Sequence, residues 1–148
     1  DLHYPLRRQR QMCIRDSYST VYFRKTFNID NPSQVGSVLL SAQIDDGFNA
    51  WINGKHVAST NVSGPELSYD ATAERSGENK DFEDYPIANV AGLIVEGKNV
   101  LTVQLLNGSL KGSTDDFFEA TIKIKFEKIS SIRRRQELIS NLYPKNLV

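Results

Sequence analysis

Cysteine, methionine and tryptophan each occur once in 148 residues. A lone thiol, Cys13, excludes an internal disulfide. The two histidines, His3 and His56, lie far apart, and with one thiol they offer no zinc-ligand spacing. No run of about 20 apolar residues exists, so no membrane-spanning helix is expected. The chain does not begin with Met and carries no signal-peptide pattern, and it is expected to be a piece of a longer or processed polypeptide. There is no Gly-x-Ser-x-Gly elbow, phosphate loop or dinucleotide fingerprint. Gly108-Ser109-Leu110-Lys111-Gly112 is glycine-flanked but lies between two strand patterns and opens no helix. Carboxylates are many, but no motif fixes the pair a glycosidase needs. The expectation is a non-enzyme.

Net charge is also absent, with 18 basic against 18 acidic residues. The balance is uneven along the chain. Residues 1–17 and 129–148 are basic, by net +2 and +3, and residues 18–128 are acidic, by net −5. An acidic body excludes nucleic acid as a partner, because that binding needs a positive face. Arg133, Arg134 and Arg135 read as a solvated helix face, and no membrane insertion is expected.

What is present is strand periodicity. Residues 1–17 show no period and read as an unstructured leader. Within them QRQMCIRDS resembles translated sequencing-adapter read-through, and Cys13 and His3 then carry no biology. From residue 18 apolar and polar positions alternate, with Val21, Phe23, Phe27 and Ile29 on one side of a strand. Val38–Ile44, Phe48–Ile52, Lys55–Thr60, Val100–Leu106 and Phe118–Phe126 read as further strands. Asn53-Gly54 predicts a tight hairpin, since both residues tolerate the positive φ of a type I′ turn. Residues 61–86 lose periodicity and read as a long acidic loop, of a kind that is usually functional or mobile. Residues 87–95 predict a short helical turn, and 129–148 a linker or helical tail ending near Pro144. About seven strands and almost no helix make residues 18–128 an all-β antiparallel sandwich.

Three segments carry a family resemblance. They are Tyr22-Phe23-Arg24-Lys25-Thr26-Phe27, then Asp45-Asp46-Gly47-Phe48-Asn49-Ala50-Trp51-Ile52-Asn53-Gly54-Lys55, then Leu93-Ile94-Val95-Glu96-Gly97-Lys98-Asn99-Val100-Leu101-Thr102-Val103. With the closing alternating strand they resemble the galactose-binding-like jelly-roll modules of large secreted bacterial proteins. They also resemble the domain of that fold at the front of β-galactosidase-type glycoside hydrolases. The resemblance implies a jelly-roll sandwich and an extracellular or cell-surface accessory module that binds carbohydrate or positions a neighbouring catalytic domain. Two alternatives stay open: a purely structural domain of a surface or particle protein, and the non-catalytic fragment of a glycoside hydrolase.

Simple up-and-down alternation gathers Asp45–Gly47, the 61–86 loop and the 107–116 loop at one end. Modules of the resembling kind bind sugars with end loops, through aromatic faces and Asn or Asp side chains. The candidate ligand residues are therefore Asp45, Asp46, Phe48, Tyr69, Asp70 and Asn107. No cofactor is required. The resemblance makes a structural calcium ion an expectation, and Asp45, Asp115, Asp116 and Glu119 supply the hard oxygens it wants, without EF-hand spacing. Trp51 sits mid-strand and reads as a core or sheet-face residue. Asp45-Asp46-Gly47 also reads as a plain turn.

Overall fold

A computed structural model describes residues 2–6, 19–77, 81–108 and 118–127, with only the backbone at 2–6 and at Phe118. Among these residues are eight strands: β1 (Leu2–Leu6), β2 (Thr20–Ile29), β3 (Val35–Ile44), β4 (Gly47–Ile52), β5 (Lys55–Thr60), β6 (Glu83–Ile87), β7 (Gly97–Leu106) and β8 (Phe118–Phe126). They form two four-stranded sheets, ordered β1-β8-β3-β6 and β2-β7-β4-β5. Every pairing is antiparallel. The expected all-β antiparallel sandwich is the observed architecture.

Period-2 patterning explains the core. In the first sheet Val38, Leu40 and Ala42 stand opposite Ile124, Ile122 and Ala120, and all six are buried. In the second, Phe48, Ala50 and Ile52 stand opposite Leu105, Val103 and Leu101, again all buried. Strand alternation sends these to one face of each sheet, and the two faces meet. Full burial of each Val, Leu, Ile or Phe among them is worth about 1.5–3 kcal/mol. Leu93 and Ile94 close the core at one end from a single turn, in which both their amides donate to the Val90 carbonyl.

Two strands depart from the sequence reading. Leu2–Leu6, expected within an unstructured leader, pair with β8 as an edge strand. Glu83–Ile87, expected as loop to 86 and as the start of a helical turn at 87, pair with β3 at the opposite edge. Both hold a proline, Pro5 and Pro86. Proline has no N–H to donate, so it suits edges and hides strands from pattern reading. Residues 129–148, with the expected helical tail, lie outside the described residues.

Candidate functional site

The loop end forms as expected from alternation, and Asp46 organises it. Its Oδ1 accepts from the Gly77 amide at 2.9 Å and its Oδ2 from the Gly108 amide at 2.7 Å. One carboxylate thus ties two distant loops to the β3–β4 bend. Asn61, held at φ 51–53° like Asn53 and Asn89, adds a second knot. Its Nδ2 donates to the Asp46 carbonyl at 3.0 Å and to the Arg75 carbonyl at 2.5 Å. The Glu74 amide donates back to the Asn61 carbonyl, and the Ala73 amide to the Asn107 carbonyl. Two glycines permit this closeness. A Cβ at Gly47 would lie 2.9 Å from the Asn61 carbonyl oxygen, and one at Gly108 would lie 2.7 Å from the Ser76 Cα.

These knots frame an open groove of about 490 Å³ lined by Thr60, Asn61, Val62, Glu74, Arg75, Ser76 and Gly77. That volume falls within the usual range for small-molecule sites. Its lining offers a carboxylate, a guanidinium, hydroxyls and an amide, a set that can donate to and accept from a hydroxyl-rich ligand. The sequence reading missed Asn61, Glu74 and Arg75. No motif marks them, and they converge only because the loop folds back on β5.

The expected site residues separate. Asp46 and Asn107 come together at the loop end, Asp46 through its side chain and Asn107 through its backbone. Asp45 beside them is half-buried and already partnered. Phe48 is a correction. It is fully buried, edge-on to Tyr85 at 5.1 Å, and its ring serves the core. Tyr69 and Asp70 lie on the strap that crosses the β2-β7-β4-β5 sheet, not in the groove. Tyr69 is 79% exposed there, and Asp70 accepts from the Ser68 hydroxyl. For the expected calcium ion, Asp115 and Asp116 lie outside the described residues. Glu119 sits on β8 opposite Gln43 and is already partnered. Among the described residues no three His, Cys, Asp or Glu side chains converge as a metal site.

Two buried amides lie beneath the strap. Asn49, fully buried, donates through Nδ2 to the Gly64 carbonyl at 2.9 Å, and its Oδ1 faces His56 Nε2 at 3.0 Å. An amide oxygen only accepts, so Nε2 of His56 carries the proton. Desolvation holds the His56 pKa below its ordinary value. Gln104, also buried, donates to the Tyr22 hydroxyl at 3.0 Å and to the Ser68 carbonyl at 3.4 Å.

No family model matches the chain, and no curated protein matches it. Solved structures do. The α-L-rhamnosidase from Dictyoglumus thermophilum aligns over 76% of this chain and 12% of its own, at 19% identity and a TM-score of 0.50. The Streptomyces avermitilis α-L-rhamnosidase complexed with L-rhamnose aligns over 75% of this chain and 9% of its own, at 16% identity and a TM-score of 0.48. A glycosyl hydrolase family 2 member from Bacteroides cellulosilyticus aligns over 73% and 13%, at 17% identity and a TM-score of 0.46. The likeness is one of fold, a galactose-binding-like β-sandwich. The chain spans about an eighth of the length of the Dictyoglumus structure.

Proposed function

We propose that this sandwich is a non-catalytic module of a larger, extracellular glycosidase-type polypeptide, and that it holds carbohydrate in the loop-end groove. The observation that carries the reading is the Asp46 clamp. It ties Gly77, a lining residue of the open groove, to the β3–β4 bend, and the same carboxylate holds Gly108. Such preorganisation lowers the ordering cost of binding a flexible, hydroxyl-rich molecule. In this reading Arg75 and Glu74, both lining the groove, contact sugar hydroxyls, Arg75 as donor and Glu74 as acceptor. The solved structures of this fold are glycoside hydrolases matched over a small part of their length, which supports a domain role beside a catalytic unit.

The test is a glycan-array screen followed by titration of any hit. Arg75→Ala and Glu74→Gln are expected to weaken the hit at least about ten-fold, roughly the worth of one charge-assisted hydrogen bond. Both side chains are exposed, so the melting temperature stays put. A domain that binds no glycan at all overturns the groove reading.

A further inference from the structure

The second sheet has a charge pattern unlike the rest of the domain. Strands β2, β4, β5 and β7 contain Arg24, Lys25, Lys55 and Lys98, and not one Asp or Glu. The surrounding body is acidic overall. The inner face of this sheet is apolar and buried, so alternation turns Tyr22, Arg24, Trp51 and Thr102 outward. Register places Arg24, Thr102, Trp51 and His56 in one row across all four strands. Tyr22 stands in the neighbouring row, opposite Gln104.

The strap covers only part of this face. The carbonyls of Gly64, Leu67 and Ser68 sit on Asn49 and Gln104, and the Ala71 carbonyl accepts from the Thr20 hydroxyl. The row holding Arg24 and Trp51 lies beside the strap as a shelf. Its aromatic groups are fixed. Gln104 holds the Tyr22 hydroxyl, and Tyr22 is still 55% exposed. Asn49 holds His56, whose ring stands edge-on to the half-buried Trp51 at 5.7 Å and 72°. Arg24 is exposed and makes no ion pair among the described residues. Two strand spacings and one pleat repeat put Tyr22 and Trp51 about 12 Å apart. That gap spans more than one sugar ring.

We propose that this shelf is a second binding site, distinct from the loop-end groove, for an acidic glycan chain whose sugars carry carboxylates. Tyr22 and Trp51 stack on ring faces, and the planar fork of Arg24 takes the carboxylate between them. Of the sheet's four basic residues only Arg24 and Lys98 fall in outward rows, Lys25 and Lys55 sharing the row of buried Leu101 and Ile52, and the strap on this face carries Glu66 and Asp70. The preference for an anion therefore rests on Arg24, and two fixed aromatic faces favour a chain of rings over a small acid. The proposal rests on its own residues and stands or falls separately from the groove.

Oligogalacturonate is the probe, with the neutral galactose oligomer as its control. Trp51 is the only tryptophan, so its fluorescence reports on the shelf directly. Oligogalacturonate is expected to shift and quench that emission saturably, more weakly at high salt, and the neutral oligomer to do so at least about ten-fold less tightly. Arg24→Gln and Tyr22→Leu alter exposed side chains. Arg24→Gln is expected to keep the melting temperature, and Tyr22→Leu to lower it somewhat because buried Gln104 loses an acceptor. Both are expected to weaken binding at least about ten-fold, while Glu74→Gln and Arg75→Ala leave it intact. Failure of oligogalacturonate to change Trp51 emission overturns the proposal. So does binding that Arg24→Gln and Tyr22→Leu leave intact, binding lost in Arg75→Ala, or an equal response to a single-stranded oligonucleotide.

Discussion

Single asparagines do much of the structural work at the end opposite the groove. Asn53 takes φ 51° and donates through Nδ2 to Asn99 Oδ1 at 2.7 Å and to the Leu93 carbonyl at 2.9 Å. Its Oδ1 accepts from the Val100 amide at 2.9 Å. Asn99, fully buried, accepts from the Val95 amide and donates to the Val95 and Gly97 carbonyls. Removing Asn99 orphans several buried backbone groups, each costing about 1–3 kcal/mol. Asn99→Ala is therefore expected to lower unfolding free energy by at least about 2 kcal/mol, read by denaturant titration. Asn99→Asp keeps the acceptor but buries a carboxylate against the Val95 and Gly97 carbonyls, and should be no milder than Ala at neutral pH.

Two side chains with shifted pKa values make stability depend on pH. Tyr85 has its pKa pushed up from 10.0 to about 12, first by desolvation and then by its hydrogen bond to Glu83 and that group's charge. A raised acid pKa favours the neutral folded form, so stability is whole below pH 10 and is lost as pH climbs toward 12. Tyr85→Phe is expected to flatten the alkaline limb of a melting profile. His56 works in the other direction. Its pKa is lowered by desolvation, so stability is whole above pH 6.5 and falls as pH drops below it. His56→Gln should reduce that acid loss, and an unchanged acid limb refutes the assignment.

At the scale of elements, loops and edges behave as designed parts. The Asp46 carboxylate accepts from both the 61–77 strap and the start of the 107–116 loop, beside the direct bond from the Ala73 amide to the Asn107 carbonyl. Asp46→Ala leaves two glycine amides without their acceptor. It is expected to speed hydrogen exchange at Gly77 and Gly108 while the β3–β8 amides keep their protection. A uniform loss of protection would mean the clamp holds the whole fold and not the groove alone. The edge strands invite a parallel test. With Leu2–Leu6 removed, β8 becomes an edge strand, and its unpaired backbone is open to another chain. The truncated domain is expected to melt lower and to scatter more light at high concentration. A melt and scattering like those of the full chain would show that β1 adds nothing.

For the whole molecule, the long strands were legible because each buries one face, and burial of one face writes alternation into the chain. Phe118–Phe126 and Val100–Leu106 carry that signal plainly. Asn53-Gly54 was legible for a different reason. Its positive φ values of 51° and 78° are local demands that few residues meet. Strands β1 and β6 were not legible, since an edge strand with proline and charge owes its pairing to a neighbour distant in sequence. The candidate site was half legible. Up-and-down alternation put the Asp45–Gly47 bend, the start of the 61–86 loop and residues 107–108 at one end, and the structure brings these together. Phe48 was misplaced because an aromatic beside a turn looks the same whether it faces core or solvent.

Scarcity narrowed the reading at once: one cysteine leaves no internal disulfide, and no apolar run is long enough for a membrane-spanning helix. Alternation and turn residues then determined a two-sheet antiparallel sandwich, because those signals arise from local backbone physics. Tertiary structure alone decided which polar groups would share a space. Hydrogen bonds between residues 31 and 62 positions apart turned Asp46 from a turn residue into a clamp, and register across four strands put Arg24, Trp51 and His56 in one row. Such partnerships depend on where strands pair, and no single segment holds that information.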